Sequence, residues 1–352
     1  METPAKGWAV YGAVGEFKLF EFKRRALKAN DVLIRIHFCG ICHSDIHEIS
    51  NDWNESIYPM VPGHEITGFV EQVGSNVKRF QIGDSVGVGC MVDSCRNCKP
   101  CQMGFEQHCT AGVSYTYNST EVDRKTPTYG GYSNLITVTE HFVFKIPKNL
   151  PLDGAAPLLC AGTTTYSALR QHNISKDSRV GVIGLGGLGH IAIKLAVAMG
   201  AHVTVIALSE SQRSDAIRLG AEVFIVSNDR EKLKEAEGSL NFIIDTVPVP
   251  HDVAGLLQLL EFQGAFCMIG LSSKPFEIVP LDLILKRLTI CGSLIGGIKD
   301  TQEMLNFCGQ HQIISDIEVI EATPDAIKSA YERLLKGKVK YRFVLDMQNA
   351  FK

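Results

Sequence analysis

The chain has no block of like charge. Lysine and arginine total 35 against 38 aspartates and glutamates, for a formal net charge of −3, and no Lys/Arg run stands out. This argues against nucleic acid or an anionic membrane surface as the main partner. A long uninterrupted apolar run is also missing. The longest apolar stretch, 191–208, is broken by Lys194, Gly200 and His202 and is too polar to be expected to span a membrane. Met1-Glu2-Thr3-Pro4 is not a basic segment followed by an apolar one, so no secretory signal is expected. No internal repeat or low-complexity segment is visible.

At 352 residues the chain is too long for one ordinary core and suggests two domains. A hydrophobic content of 45% with 32 glycines and 13 prolines indicates a compact chain rich in turns. The 11 cysteines are odd in number and partly clustered, which fits a reducing compartment and so a cytoplasmic location. Cys95, Cys98, Cys101 and Cys109 make a C-x2-C-x2-C-x7-C run. Four soft thiolates at this spacing can wrap one tetrahedral Zn²⁺ with every position filled by protein, which points to a structural zinc rather than to disulfides or buried thiols.

The first part of the chain carries short alternating apolar runs, such as residues 32–37, separated by Gly/Asp/Asn turns, and is expected to be mainly β. After Pro157 the pattern changes. Apolar runs at 180–183, 203–207, 223–226, 242–245, 265–269 and 288–291 alternate with helical stretches, which predicts a six-stranded, doubly wound parallel sheet. Residues 188–199 predict a buried helix stopped by Gly200. The tail from about Gly297, with helices and two short strands near Ile317 and Phe343, is expected to return to the first domain.

Gly184-Leu185-Gly186-Gly187-Leu188-Gly189 follows the first of these strands and opens a helix. In that context a G-x-G-x-x-G motif is a dinucleotide fingerprint. Gly184 allows the tight turn, Gly186 admits the pyrophosphate to the backbone, and Gly189 lets helix pack on strand. An acidic residue at the end of the second strand would bind a ribose 2′-hydroxyl. That position is about Ala207, followed by Leu208 and Ser209. Ser209 can donate to a 2′-phosphate and Arg213 can supply charge, so NADP(H) is expected, although Glu210 next door offers a carboxylate for a ribose and Arg213 can instead face solvent.

Upstream, Gly40-Ile41-Cys42-His43-Ser44-Asp45-Ile46-His47 and Gly63-His64-Glu65 concentrate groups that handle protons. Cys42 and His64 are candidate Zn²⁺ ligands. A catalytic zinc needs three protein ligands and an open position, and Cys160, at the junction of the two expected domains, is the candidate third. Cys39, Cys90, Cys267, Cys291 and Cys308 lie in apolar or strand-like settings and are read as buried thiols.

These motifs together resemble the zinc-dependent alcohol dehydrogenases of the medium-chain superfamily. Gly63-His64-Glu65-x2-Gly68-x5-Gly74-x2-Val77 is similar to that family's zinc signature. The segments Tyr58-Pro59-Met60-Val61-Pro62-Gly63-His64-Glu65, Ala156-Pro157-Leu158-Leu159-Cys160-Ala161-Gly162 and Gly292-Ser293-Leu294-Ile295-Gly296-Gly297 resemble the cinnamyl alcohol dehydrogenase branch. The resemblance implies an α/β chain in two domains. Residues 1–157 and 297–352 would form a mainly-β, GroES-like catalytic domain, and residues 158–296 an NADP(H)-binding Rossmann domain. It implies two zincs, one held by Cys42, His64 and Cys160 with Glu65 behind it or exchanging into its shell, the other by Cys95, Cys98, Cys101 and Cys109. It implies that Asp45 fixes the His64 tautomer, that Ser44 contacts the substrate oxygen, and that His47 passes the proton on to solvent. It implies cofactor contacts from Thr164, Gly184, Leu185, Gly186, Gly187, Leu188, Gly189, Ser209, Arg213, Thr246, Gly270, Ser293, Leu294 and Ile295. A homodimer acting on a small alcohol or aldehyde follows from the same likeness.

Three positions depart from the plant enzymes of that branch. Ser114 stands where they carry a tryptophan, Trp53 where an aliphatic residue is usual, and Leu294 where phenylalanine is common. The resulting expectation is an NADP(H)-dependent zinc alcohol dehydrogenase or aldehyde reductase for aromatic and medium-chain alcohols and aldehydes. The alternatives are a polyol or sugar-alcohol dehydrogenase on the same scaffold, which would want a more polar pocket, and a non-catalytic, zinc-stabilised nucleotide-binding protein.

Overall fold

The computed structural model describes residues 1–13, 15–272 and 274–352. They form two units, Met1–Cys160 with Gly297–Lys352, and Ala161–Gly296.

In the first unit the strand Asp31–Gly40 is central. It pairs antiparallel with Ile66–Val73 on one side, with Arg342–Asp346 near its C-terminal end and with Leu135–Thr139 near its N-terminal end. The sheet continues through Ser85–Val88 to Phe144–Lys145 at one edge and to Ile317–Glu321 at the other. The alternation expected of residues 32–37 is only partial: Val32, Leu33, Ile34 and Ile36 are all buried. Neighbouring residues leave opposite faces, so the strand is covered on both faces over 32–34, while Arg35 still reaches solvent. The tail contributes the helices Ile298–His311 and Pro324–Leu335 and the parallel pair Ile317–Glu321 and Arg342–Asp346.

The second unit is a six-stranded parallel sheet. Its spatial order is Val223–Val226, His202–Ala207, Arg179–Ile183, Leu240–Asp245, Leu260–Met268, Thr289–Gly292. This is the doubly wound order in which the chain starts at the centre, builds one half and then the other. Ile183, Ile206, Ile225, Ile243 and Phe266 supply its core. The helix Gly189–Ala198 begins directly after the glycine loop, and Gly200, at φ 86°, ends it. Among the described residues, no helix is long and apolar enough to cross a membrane.

Candidate active site

Strand pairing in the first unit brings distant residues to one end of the sheet. The register Cys39↔Ile66 sets Cys42, just past the end of one strand, beside His64 and Glu65, just before the next. The antiparallel pair Val344↔Gly40 adds Arg342. Cys160 follows the short 3-10 turn Ala156–Leu159. Donor atoms of Cys42, His64, Glu65 and Cys160 all lie within 4.8 Å of one another, and the two sulfurs are 4.0 Å apart. Thiolates on a tetrahedral zinc, with Zn–S of about 2.3 Å, sit about 3.8 Å from each other, so this donor set fits that ion.

Asp45 organises the cluster from inside. It lies in the first turn of the helix His43–Ser50, where its carboxylate accepts the N–H of Cys42 at 2.8 Å, half of a capping box. It also accepts the N–H of Gly63 at 3.1 Å and faces Nδ1 of His64 at 3.4 Å. That leaves Nε2 of His64 for a metal. The His64 ring stacks on Tyr117 with centroids 5.8 Å apart. Burial opposes a charge on His64, but Cys90 and Asp45 raise its pKa well above the ordinary range. The Cys42 thiol is held well below its ordinary range, first by its hydrogen bond with Cys160 and then by Arg342 and His64, against the effect of burial.

Glu65 is fully buried, and one carboxylate oxygen accepts from Nη2 of the equally buried Arg342. The other oxygen has no hydrogen-bond partner. Burial pushes the Glu65 carboxyl up to about 7, with Arg342 pulling against it. A side chain on Gly40 would overlap that second oxygen, so the glycine makes room for the carboxylate. Arg342 is a site residue that the sequence did not announce. Cys90 is another. It is only half-buried, and its thiol is pushed down chiefly by a hydrogen bond from Cys160 and also by His64, so the reading of Cys90 as an inert core thiol is corrected.

Ser44 Oγ lies 3.6 Å from the sulfur of Cys42. His47 is bonded through Nδ1 to Asp52 at 2.7 Å, and Trp53 tilts over its ring with centroids 5.4 Å apart. Ser114 is buried, while Trp53 and Tyr115 are 39% and 40% exposed.

The four-cysteine run closes on itself in the same unit. Its sulfur–sulfur distances are 3.4 Å for Cys98–Cys101, 3.9 Å for Cys98–Cys109 and 4.0 Å for Cys95–Cys101. Backbone N–H groups of Cys98 and Asn97 point at the Cys95 sulfur, and that of Cys95 at the Cys109 sulfur. All four thiols are free, and amides directed at sulfur suit thiolates. Four donors leave no open position.

In the second unit the glycine loop has the shape of its fingerprint. Gly184 takes φ 88°, and a side chain on Gly189 would overlap the carbonyl oxygen of Gly184. A side chain on Gly186 would meet nothing within 4 Å, so the backbone there is open to a ligand. Leu185 accepts from Gln212 through its carbonyl, and Leu188, with no capping side chain, directly precedes the helix that Gly189 starts. Thr246 donates its hydroxyl to the Ile183 carbonyl at 2.7 Å, and a side chain on Gly270 would press on the Val247 carbonyl. Thr164 is buried in the helix Ala161–Gln171, the Ser293 N–H bonds the Met268 carbonyl at 3.1 Å, Leu294 is exposed, and Ile295 has φ 52°. A left-handed backbone at a β-branched residue is strained. The strand His202–Ala207 ends without a carboxylate. Ser209 Oγ accepts from Ser211 N–H at 3.3 Å, and Arg213 forms an ion pair with Glu210, its second bond at 3.0 Å. Glu210 and Arg213, weighed separately as ribose and phosphate partners, thus face each other here.

Two sequence profiles match the chain: the alcohol dehydrogenase GroES-like domain over residues 28–148, and the zinc-binding dehydrogenase over residues 187–310. An 8-hydroxygeraniol dehydrogenase from Catharanthus roseus is 49% identical over 100% of this chain and 98% of its own length. The chain belongs to the zinc-binding alcohol dehydrogenase family, in its cinnamyl alcohol dehydrogenase-like branch. A cinnamyl alcohol dehydrogenase from Rauvolfia serpentina is 50% identical, covering 100% of this chain and 98% of that protein, and a mannitol dehydrogenase from Apium graveolens is 48% identical, covering 100% and 96%. Among solved structures, a cinnamyl alcohol dehydrogenase from Sorghum bicolor superposes with TM-score 0.95 at 43% identity over 99% of both chains. One from Helicobacter pylori, complexed with NADP(H), gives 0.92 at 45% identity over 100% of both. This dehydrogenase therefore has the α/β fold expected of it, a GroES-like domain with a Rossmann-like one.

Proposed function

We propose that this dehydrogenase interconverts aromatic and medium-chain alcohols and aldehydes with NADP(H), running chiefly as an aldehyde reductase. The observation that carries the reading is the tie between Arg342 and Glu65 behind the Cys42, His64 and Cys160 donors. Arg342 engages one Glu65 oxygen and leaves the other without a partner, so the carboxylate can stand behind three protein donors or exchange with substrate for the fourth position, the arrangement of a catalytic zinc. When bound, the metal supplies Lewis acidity at the substrate oxygen and the dinucleotide supplies the hydride.

The chain's own residues do the rest. Asp45 fixes which His64 nitrogen is free and locks the ring. Ser44, beside Cys42, holds or returns the proton at the substrate oxygen. His47, its Nδ1 on exposed Asp52, carries that proton to solvent through its other nitrogen. The open backbone at Gly186, the helix N-terminus at Gly189 and the strained turn at Ile295 support a dinucleotide along the sites named from the sequence. Ser209 and Arg213, together with the missing carboxylate after Ala207, support the 2′-phosphate of NADP(H), the cofactor bound in the Helicobacter pylori relative.

Trp53, tilted over His47, and the exposed Tyr115 favour aromatic and medium-chain substrates over polyols, although relatives named for mannitol match about as well as those named for cinnamyl alcohol. Two complete thiol-rich clusters weigh against a non-catalytic role. A homodimer is supported by the second unit's sheet edge. There, among the described residues, the strand Thr289–Gly292 is paired on one side only, and the helix Pro280–Lys286 has no buried residue, with Ile284 and Leu285 both 72% exposed. The free thiols support a cytoplasmic location.

The test is oxidation of NADPH and NADH by the purified enzyme with cinnamaldehyde, benzaldehyde and a ketose. Turnover of the aromatic aldehydes with NADPH is the expected result. Faster turnover of the ketose would replace the substrate assignment, and a preference for NADH would replace the cofactor assignment. Cys160→Ala should lose turnover together with one equivalent of zinc. Activity retained in that variant would show that the third ligand lies elsewhere.

A further inference from the structure

A third concentration of soft donors lies wholly within the Ala161–Gly296 unit, at residues to which neither the fold nor the reaction gives a role. His172 directly follows the helix Ala161–Gln171. Cys267 and Cys291 sit on the neighbouring parallel strands Leu260–Met268 and Thr289–Gly292, directly opposite one another in register. Paired residues of adjacent strands leave the same face of a sheet, so the two thiols meet. The His172 ring lies on that face against Phe242, with centroids 4.6 Å apart, and its Nε2 is 3.2 Å from the Cys291 sulfur. All three donor atoms are within 4.8 Å of one another, the same closeness that gathers both clusters of the first unit. A zinc-sized ion, at about 2.3 Å from sulfur and about 2.0 Å from nitrogen, holds such donors roughly 3.5–3.8 Å apart.

The donors are partly sheltered but still reachable from one side. Cys267 is fully buried, and both thiols are free. Binding a cation there would release the thiol protons to solvent. Cys291 is half-buried, so the reading of it as one more core thiol is corrected as well.

We propose that His172, Cys267 and Cys291 form a third metal site, which takes one thiophilic divalent cation of the zinc class through the imidazole Nε2 and two thiolates. Two thiolates and a divalent ion make a neutral group, which suits an apolar sheet face better than an unpaired thiolate. The fourth position goes to solvent on the half-exposed side. The site would clip the end strand Thr289–Gly292, bonded on one side only, to its inner neighbour and to the end of the helix Ala161–Gln171.

Zinc is counted first on the intact, purified enzyme. Three per chain, falling to two in His172→Ala, supports the assignment. Where two are found, Cd²⁺ is titrated into the zinc-loaded enzyme. The expected result is thiolate-to-cadmium absorbance that saturates at one added equivalent without zinc release, and that is lost in both His172→Ala and Cys291→Ser. The proposal is overturned by an absent band, by a band that survives in the variants, by zinc release matching cadmium uptake, or by a Cys267–Cys291 disulfide in the purified enzyme on non-reducing peptide mapping. The wild-type titration and peptide map stand even if a variant fails to fold, and neither depends on which substrate the enzyme reduces.

Discussion

Replacing Arg342 by methionine keeps much of the side chain's volume and removes the cation that, among the described residues, bonds the buried Glu65 carboxylate. Removing one partner of a buried ion pair costs about 3–5 kcal/mol, because the other charge is left uncompensated. For a folding unit of this size, 1 kcal/mol moves the melting temperature by roughly 2–4 °C, so Arg342→Met should melt about 10 °C lower. Glu65→Gln with Arg342→Met should recover a large part of that loss, since neither charge then remains. The penalty should also depend on pH. Glu65 in the folded enzyme sits at about 7, above its unfolded range. A raised folded pKa gives stability that is complete below the unfolded pKa and is lost as pH rises through the folded one. Removing the arginine raises Glu65 further, so the variant should be closer to wild type at about pH 6 than at about pH 8. The assay is urea unfolding and thermal melts of the zinc-loaded wild type, both single variants and the double variant at the two pH values. Additive effects in the cycle, or a loss below about 1 kcal/mol at pH 8, would refute the view that Arg342 neutralises Glu65.

Asp45→Asn should weaken zinc at the Cys42 cluster by about 10–100-fold and lower kcat with it, as read by chelator competition, while zinc at the four-cysteine cluster is retained. Arg213→Ala should raise KM for NADPH about tenfold or more without changing KM for NADH, on the ~1.5–3 kcal/mol of a charged hydrogen bond. Glu210→Gln, by freeing Arg213, should lower KM for NADPH, and steady-state kinetics with both cofactors checks the pair. Cys98→Ser should expose residues 95–109 to proteolysis while NADPH binding by fluorescence persists, because that lobe lies outside the Ala161–Gly296 unit.

What the sequence disclosed was local. Six apolar runs and a glycine loop can be read because each strand, turn and helix start is written in adjacent residues, and the sheet follows them within a residue or two at most ends. The thiol run could be read for the same reason. Arg342 could not, since it stands 277 residues from Glu65 and looks like any charged residue opening a strand. Cys90 and the Cys267–Cys291 pair were hidden by the same limit, because register between strands decides who meets whom. The Glu210–Arg213 pair was within reach. Its three-residue spacing at a helix start is enough to predict contact, but each residue was read for what it could offer a ligand.

The order of synthesis gives the Arg342–Glu65 tie another consequence. The Ala161–Gly296 unit is one continuous stretch, whereas the unit holding Cys42, His64 and Cys160 needs Gly297–Lys352 to be complete. A chain made from its N-terminus has all three thiol and imidazole ligands long before Arg342 emerges. Until then the Glu65 carboxylate lacks the arginine it bonds in the folded unit. The two halves of this ion pair are therefore separated in time as well as in sequence, and the first unit can complete it only after the Ala161–Gly296 stretch has been made.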